Sequence, residues 1–193
     1  MMEQIRSFIA IELPPAVKLA LAGIQEKLKA AGGAPVRWVD PGSIHLTLKF
    51  LGDIDSGSTA RITAALEEAA RGTHSFSIEV SGLGVFPDPR RVRVVWVGLT
   101  GELEKLSQLQ KRIEAGLVPL GFKEEGRPFT PHLTMARVRD YASPGERLQL
   151  GQLIEKTGFD VKCPIKVNAV HLIRSQLTRE GPIYTKIGTI DLK

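Results

Sequence analysis

One short pattern occurs twice in this chain. Ile44-His45-Leu46-Thr47-Leu48 is echoed by Pro131-His132-Leu133-Thr134-Met135, 87 residues further along a chain of 193. A spacing near half the length points to two lobes, each carrying one copy, facing each other about a pseudo-twofold axis. Side chains alternate between faces along a strand. Each copy therefore turns histidine and threonine to one face, and its apolar residues to the other. The apolar face belongs in a core. The opposite face offers an imidazole beside a hydroxyl, and two such strands brought together line a cleft with two of each.

The remaining sequence fits this frame. A length of 193 residues suits one bilobal unit over 1–193 better than two independent domains. A short strand is expected at 7–13, ended by Pro14-Pro15, which can open a helix because proline fits the first helical turn. Val17, Leu21, Ile24 and Leu28 recur at helical spacing, and Gly32-Gly33 stops that helix. Further helices are expected at 59–70, 102–117 and 146–156. In the second of these, Leu103, Leu106, Leu109, Ile113 and Leu117 form one stripe. Strands are expected at 36–39, 44–51, 76–80, 91–97, 129–138, 166–174 and 183–190. A bend is expected at Gly82-Leu83-Gly84 and a turn at Gly181-Pro182. Strands and helices are mixed with few signs of right-handed crossovers, which favours α+β over α/β.

The chemistry follows from the paired imidazoles. An unperturbed histidine titrates near 6.5, so one can be neutral while the other is protonated. The neutral one takes a proton from water, and the protonated one gives a proton to a leaving oxygen. Each transfer contributes roughly 10²–10⁴-fold. The threonine hydroxyls can donate to non-bridging phosphate oxygens, where charge builds in the transition state. No serine or cysteine is placed to act as a nucleophile, so direct attack by water is the simpler scheme. A net charge of +5 favours an anionic partner without identifying one. Five positions after each histidine stand Phe50 and Arg137. On a regular strand that odd offset lies on the opposite face, so Arg137 reaches the cleft only through a bend or a bulge.

Other residues compete less well. His74 and His171 lack a threonine two positions on. His74 sits in a turn-like, solvated Gly72-Thr73-His74-Ser75. His171 lies in an apolar strand and reads as structural, with lining the cleft as the alternative. The lone Cys163 cannot form an intrachain disulfide and reads as a partly buried thiol. There is no H-E-x-x-H, no C-x-x-C, no cluster of carboxylates beside either histidine and no G-x-x-x-x-G-K-[ST] loop. No metal and no cofactor are expected. No stretch approaches the roughly 18 apolar residues that cross a bilayer, so the default is a cytoplasmic protein with no membrane partner.

At these residues the chain resembles the 2H (two-histidine) phosphoesterase superfamily. More closely, it is similar to the RNA 2',3'-cyclic phosphodiesterases, also called 2'-5' RNA ligases. The resemblance extends over Phe8-Ile9-Ala10, the run from His45 to Gly52, Gly82 to Pro87, Val95-Trp96-Val97-Gly98, Phe129 to Arg137, Ser175-Gln176-Leu177 and Gly181-Pro182-Ile183-Tyr184. It implies a bilobal α+β fold with antiparallel sheets around a central cleft and helices outside. It also implies metal-independent hydrolysis of RNA 2',3'-cyclic phosphate ends to 2'-phosphomonoesters. His45 becomes the proton donor and His132 the acceptor, with Thr47 and Thr134 holding the phosphate and Arg137 filling the basic position. The family name further implies joining of RNA ends through a 2'-5' linkage. The partner is then RNA with a cyclic phosphate end, tRNA fragments being one source, and the protein is expected to act as a monomer. Trp38, Phe50 and Arg93 are candidates for stacking or phosphate contact with flanking nucleotides. Core packing is the competing reading for Trp38 and Phe50. The run Arg90, Arg91, Arg93 reads equally as a solvated loop. A related enzyme acting on another cyclic phosphate or a 2'-5' linked oligonucleotide, and a non-catalytic RNA-end binding module, are the alternatives.

Overall fold

A computed structural model of the chain describes residues 3–32, 34–159, 161–179 and 181–193. In chain order the elements are β1 (Gln4–Glu12), α1 (Pro15–Ala30), β2 (Val36–Trp38), β3 (His45–Asp55), α2 (Thr59–Ala70), β4 (Phe76–Phe86), β5 (Val94–Gly101), α3 (Leu103–Leu117), β6 (His132–Val138), α4 (Pro144–Lys156), β7 (Pro164–Val167), β8 (Ala169–Leu177) and β9 (Pro182–Asp191). The strands form two antiparallel sheets, ordered β3-β1-β8-β9 and β2-β6-β5-β4-β7.

The two sheets are built by the same rule. In each half of the chain a strand, a helix and the motif strand follow one another, and the two strands pair antiparallel: β1 with β3, β5 with β6. Each pair is then extended by a strand from the opposite half. β8 pairs with β1, and β4 pairs with β5. The halves thus exchange strands, and neither sheet is complete without the other half. One cluster of buried apolar side chains, from Ile5 to Leu192, runs through both. Leu46, Leu48, Leu133 and Met135 are part of it, as their positions in the two motifs require. Burying a side chain of this size stabilises by about 1.5–3 kcal/mol.

The helices follow their apolar stripes. Pro15 opens α1, whose buried face includes Val17, Leu21, Ile24 and Leu28. Of the Gly32-Gly33 stop, Gly32 takes φ +73; Gly33 lies outside the described residues. α4 starts two residues before its expected position. Ser143 accepts from the Glu146 amide while the Glu146 carboxylate accepts from the Ser143 amide, a capping box that satisfies two free amides at the helix start.

Three expectations are corrected. Gly82 to Gly84 is not a bend between elements: β4 runs on to Phe86, with a register shift between Ser81 and Leu83 and Gly82 at φ +68. The glycine admits a bulge that keeps the strand going. The strand expected at 91–97 begins at Val94, because Arg91 is held in the preceding turn by Asp88, its Nη2 2.8 Å from Oδ2. The strand expected at 166–174 is two strands in different sheets, parted at Asn168: β7 edges the second sheet and β8 lies inside the first. Burial changes there from one face, at Ile165 and Val167, to both faces, from Ala169 to Ile173.

Candidate active site

Both motif strands open on their histidine, and both carry the same irregularity. In the β1–β3 pair, Ile9 faces Lys49 but Ala10 faces Thr47, which leaves Leu48 unpaired. In the β5–β6 pair, Val95 faces Ala136 but Trp96 faces Thr134, which leaves Met135 unpaired. A one-residue bulge turns two consecutive side chains to the same side. Leu48 and Lys49 both point inward, as do Met135 and Ala136. Alternation then resumes one step out of phase. Phe50 and Arg137 return to the face of the histidines, which regular strands would have denied them.

Buried polar side chains from distant helices hold these bulges. Gln25 of α1, 1% exposed, donates through Nε2 to Val39 O (2.7 Å) and to Met135 O (3.1 Å). Met135 O also accepts from the Val39 amide at 2.9 Å. Gln110 of α3 takes the matching place behind β3. Its Nε2 lies a long 3.5 Å from Leu48 O and 3.2 Å from Glu114 Oε1. Lys49 does more there, with Nζ 2.6 Å from Glu114 Oε2 and 2.8 Å from Lys123 O. A charge this deeply buried persists only when paired and hydrogen-bonded.

The two imidazoles are anchored identically. His45 Nδ1 lies 2.8 Å from Ser43 O, and His132 Nδ1 lies 2.8 Å from Thr130 O. A carbonyl only accepts, so each Nδ1 carries the proton and donates. Nε2 is then the nitrogen left for chemistry in both rings. Aromatic rings back each one. Phe8 stacks on His45 with centroids 4.5 Å apart, and Tyr184 meets it edge-on at 5.2 Å. Phe86 meets His132 edge-on at 5.0 Å, with Trp96 at 6.4 Å. Trp96 lies so close over Gly84 that any Cβ there would run into the indole. Its Nε1 is buried without a hydrogen-bond partner among the described residues.

Burial holds the His45 imidazolium below the ordinary histidine value. The Ser43 carbonyl opposes this, Lys18 adds to it, and the Glu12 carboxylate opposes it. Burial raises the Tyr184 phenol, against the positive charges of Arg137, Arg6 and Arg37. Tyr184 belongs to the first sheet and touches His45, whereas Arg137 and Arg37 belong to the second. With β3 and β6 in contact where the sheets meet, the two motif faces open on one cleft.

The other candidates fall as follows. Phe50 is 58% exposed and tilts against Phe8 at 6.1 Å, on the cleft face. Trp38 pairs with Ala136 and packs against the core on the opposite face, with Lys29 Nζ 5.7 Å from its ring. Its neighbour Arg37 is the β2 residue on the cleft side. Arg93 is exposed just before β5, bonded through its backbone to Phe86 and Val138. His171 is buried beside Ala10 on the cleft face of the first sheet, its Nδ1 3.1 Å from Thr189 Oγ1. Burial lowers its pKa. His74 is exposed in a hollow of about 500 Å³ with Lys105, Lys111 and Arg112. Among the described residues, no three His, Cys, Asp or Glu side chains are grouped to hold a metal ion. Nor, among them, is any helix long and apolar enough to cross a membrane.

Sequence reasoning gave no role to Phe8, Phe86, Trp96 and Tyr184, to Arg37, or to Gln25. Strand parity carried part of the signal. Trp96 falls between the core residues Val95 and Val97, so it must face away from the core.

An α+β frame of two exchanged halves, each presenting a histidine and a threonine to a shared cleft, is the architecture of the two-histidine phosphoesterases. The LigT-like phosphoesterase family model matches the chain twice, over residues 11–96 and 97–184. Each match contains one motif, in agreement with the internal repeat. The chain belongs to this family. It is 39% identical over 98% of its length to the RNA 2',3'-cyclic phosphodiesterase of Methanothermobacter thermautotrophicus, all of which is covered. It is 33% identical to the RNA 2',3'-cyclic phosphodiesterase of Aquifex aeolicus, over 96% of both chains. Among solved structures, TT0787 of Thermus thermophilus superposes with a TM-score of 0.73 at 28% identity, covering 97% of each chain. E. coli LigT complexed with 3'-AMP shares the fold, with a TM-score of 0.77 over 99% of each chain at 24% identity.

Proposed function

We propose that this protein hydrolyses the 2',3'-cyclic phosphate ends of RNA to 2'-phosphomonoesters, using His45 as proton donor and His132 as proton acceptor. The observation that carries the reading is the identical setting of the two imidazoles. Each is fixed through Nδ1 to the carbonyl two residues earlier, and each has a threonine next on its face. Water attacks phosphorus as His132 Nε2 takes its proton. The bond from phosphorus to O3' breaks, and His45 Nε2 gives its proton to O3'. The products are a 2'-phosphate and a free 3'-hydroxyl, and the two histidines end with their protonation states exchanged. Thr47 and Thr134 hold the non-bridging oxygens, and Arg137 supplies permanent positive charge on the same face. A 5'-hydroxyl in the place of water gives a 2'-5' linkage by the same two transfers. The names borne by the two relatives, covered over 100% and 96% of their lengths, support this choice over other cyclic phosphates and over a pure binding module.

The test is an assay on 2',3'-cyclic nucleotides in the presence of a chelator, with the product assigned as the 2'- or 3'-monoester. The wild type is expected to give the 2'-monoester. His45→Ala and His132→Ala are each expected to lower kcat by about 10²–10⁴-fold with an unchanged circular dichroism spectrum. Near-wild-type turnover in either variant, or release of the 3'-monoester, refutes the assignment.

A further inference from the structure

Arg37 and Arg137 stand directly opposite each other in the β2–β6 pair. Like charges so placed repel and cost stability. Among the described residues no carboxylate forms an ion pair with either. Arg6 faces the same space from β1. Its cross-strand neighbour is Asp53, yet among the described residues it too enters no ion pair. Three guanidiniums facing the cleft from both sheets, around the ring of Tyr184, leave a positive field that no ion pair among the described residues neutralises.

The position of this cluster is specific. β2 pairs only with residues 136–138 of β6, leaving the His132–Thr134 end free to meet β3. Arg137 lies five residues from His132 but, with the bulge between them, only four partner positions away, from Gly98 to Val94, about 13 Å along the strand. Arg37 lies beside it on the edge strand, on the outer side. A nucleotide reacting at the imidazoles, with Arg137 on its near side, therefore leaves the Arg37 guanidinium nearer the next phosphate along the RNA than the reacting one.

We infer that Arg37, together with Arg6, forms a subsite for the phosphodiester on the 5' side of the terminal nucleotide, so that the protein favours oligoribonucleotide ends over mononucleotides. The inference rests on the cleft being the RNA-end site proposed above. Arginine suits this role because its forked guanidinium grips a phosphate by two donors. The exposed ring of Phe50 gives a neighbouring base a surface to stack on. The substrate phosphate then supplies the ion-pair partner that these arginines do not find among the described residues.

The experiment compares a 2',3'-cyclic mononucleotide with a short single-stranded oligoribonucleotide bearing the same cyclic end, for wild type, Arg37→Gln and Arg37→Lys. In Arg37→Gln, kcat/KM for the oligomer is expected to fall about tenfold further than for the mononucleotide. The log–log salt dependence for the oligomer should flatten by about 0.7, the value for one phosphate on a single strand. Arg37→Lys should recover part of both. Equal losses on the two substrates would place Arg37 at the reacting phosphate and overturn the inference, as would an oligomer indifferent to the substitution. Binding of the 2'-phosphorylated oligomer and of a nucleoside 2'-monophosphate is measured in parallel. A selective loss of oligomer binding without turnover in the wild type would sink the hydrolase reading and leave the subsite standing. Equal binding of the oligomer by wild type and variant would sink the subsite alone.

Discussion

Compare the first seven residues of β3 with those of β6. Both begin half-buried, alternate, bulge at the fourth position, bury two residues in succession and then expose one. The backbone is duplicated down to the unpaired residue, yet the side chains hung on it differ. The exposed position is Phe50 in one strand and Arg137 in the other. Opposite His45 stands Glu12, whereas Gly98 stands opposite His132. Behind the first bulge lies a buried Lys49–Glu114 pair; behind the second lies the neutral Ala136. Symmetry fixes two equivalent imidazoles on one cleft. Asymmetry then gives them different neighbours, as the proposed division into donor and acceptor at the same pH requires.

The largest difference should appear at Phe50 and Arg137. Hydrogen bonds to a charged group contribute about 1.5–3 kcal/mol, and each 1.4 kcal/mol is about tenfold. Arg137→Gln is therefore expected to lower kcat/KM for a cyclic mononucleotide by about 10–100-fold. Phe50→Ala is expected to raise KM by about tenfold or less, with kcat nearly unchanged, since base stacking is worth roughly 1–3 kcal/mol and is made before the reaction. Steady-state kinetics on both variants decides. Equal effects would mean that the exposed position plays the same part in both strands.

Why the sequence announces the histidines but not these two neighbours is a matter of register. Up to Thr47 and Thr134 the strands are regular, so a period of two places His45, Thr47, His132 and Thr134 correctly on one face. Beyond that point the period breaks, and nothing local to the motif forces it to. In β6 the phase change leaves a trace, since Leu133, Met135, Ala136 and Val138 switch from odd to even positions. In β3 the same change is masked, because the second inward residue is Lys49, which reads as solvent-facing until Glu114, 65 residues away, is known to meet it. The exchanged strands were hidden for a similar reason. β7 and β8 read as one run, and only the distant partners β4 and β1 separate them.

The bulge supports allow a subtler comparison. Gln25 makes two good bonds behind β6, whereas Gln110 makes one long contact behind β3, where Lys49 and Glu114 already hold the strand. Leaving a buried acceptor unsatisfied costs about 1–3 kcal/mol, and about 1 kcal/mol shifts Tm by about 2–4 °C at this size. Gln25→Leu is expected to lower Tm by about 4–8 °C and to weaken turnover through Arg137. Gln110→Leu should cost half of that or less. Thermal melts and kcat/KM on the two variants test the ranking. Its reversal would mean that the second bulge holds without its glutamine.

The smallest effect belongs to Glu12, and it bears most directly on how the two imidazoles divide their work. His45 titrates below the ordinary histidine value because it is buried, and the Glu12 carboxylate pulls it part of the way back. Glu12 itself is held low despite its burial, through Lys186 first, then His171 and Lys18. A proton donor must be protonated, so turnover falls as pH rises through the His45 value. Glu12→Gln removes the upward pull. The limb of the kcat–pH profile that His45 sets should move to lower pH. A partly exposed charge pair contributes about 0–1 kcal/mol, so turnover at the optimum should change less than about tenfold. A kcat–pH profile unmoved by Glu12→Gln would mean that His45 does not titrate in turnover. The second lobe has no room for a matching carboxylate, because a Cβ at position 98 would stand 2.6 Å from Ser81 O. Backbone packing under His132 thus keeps a charge away from the proposed acceptor, and the register position beside His45 admits one next to the proposed donor.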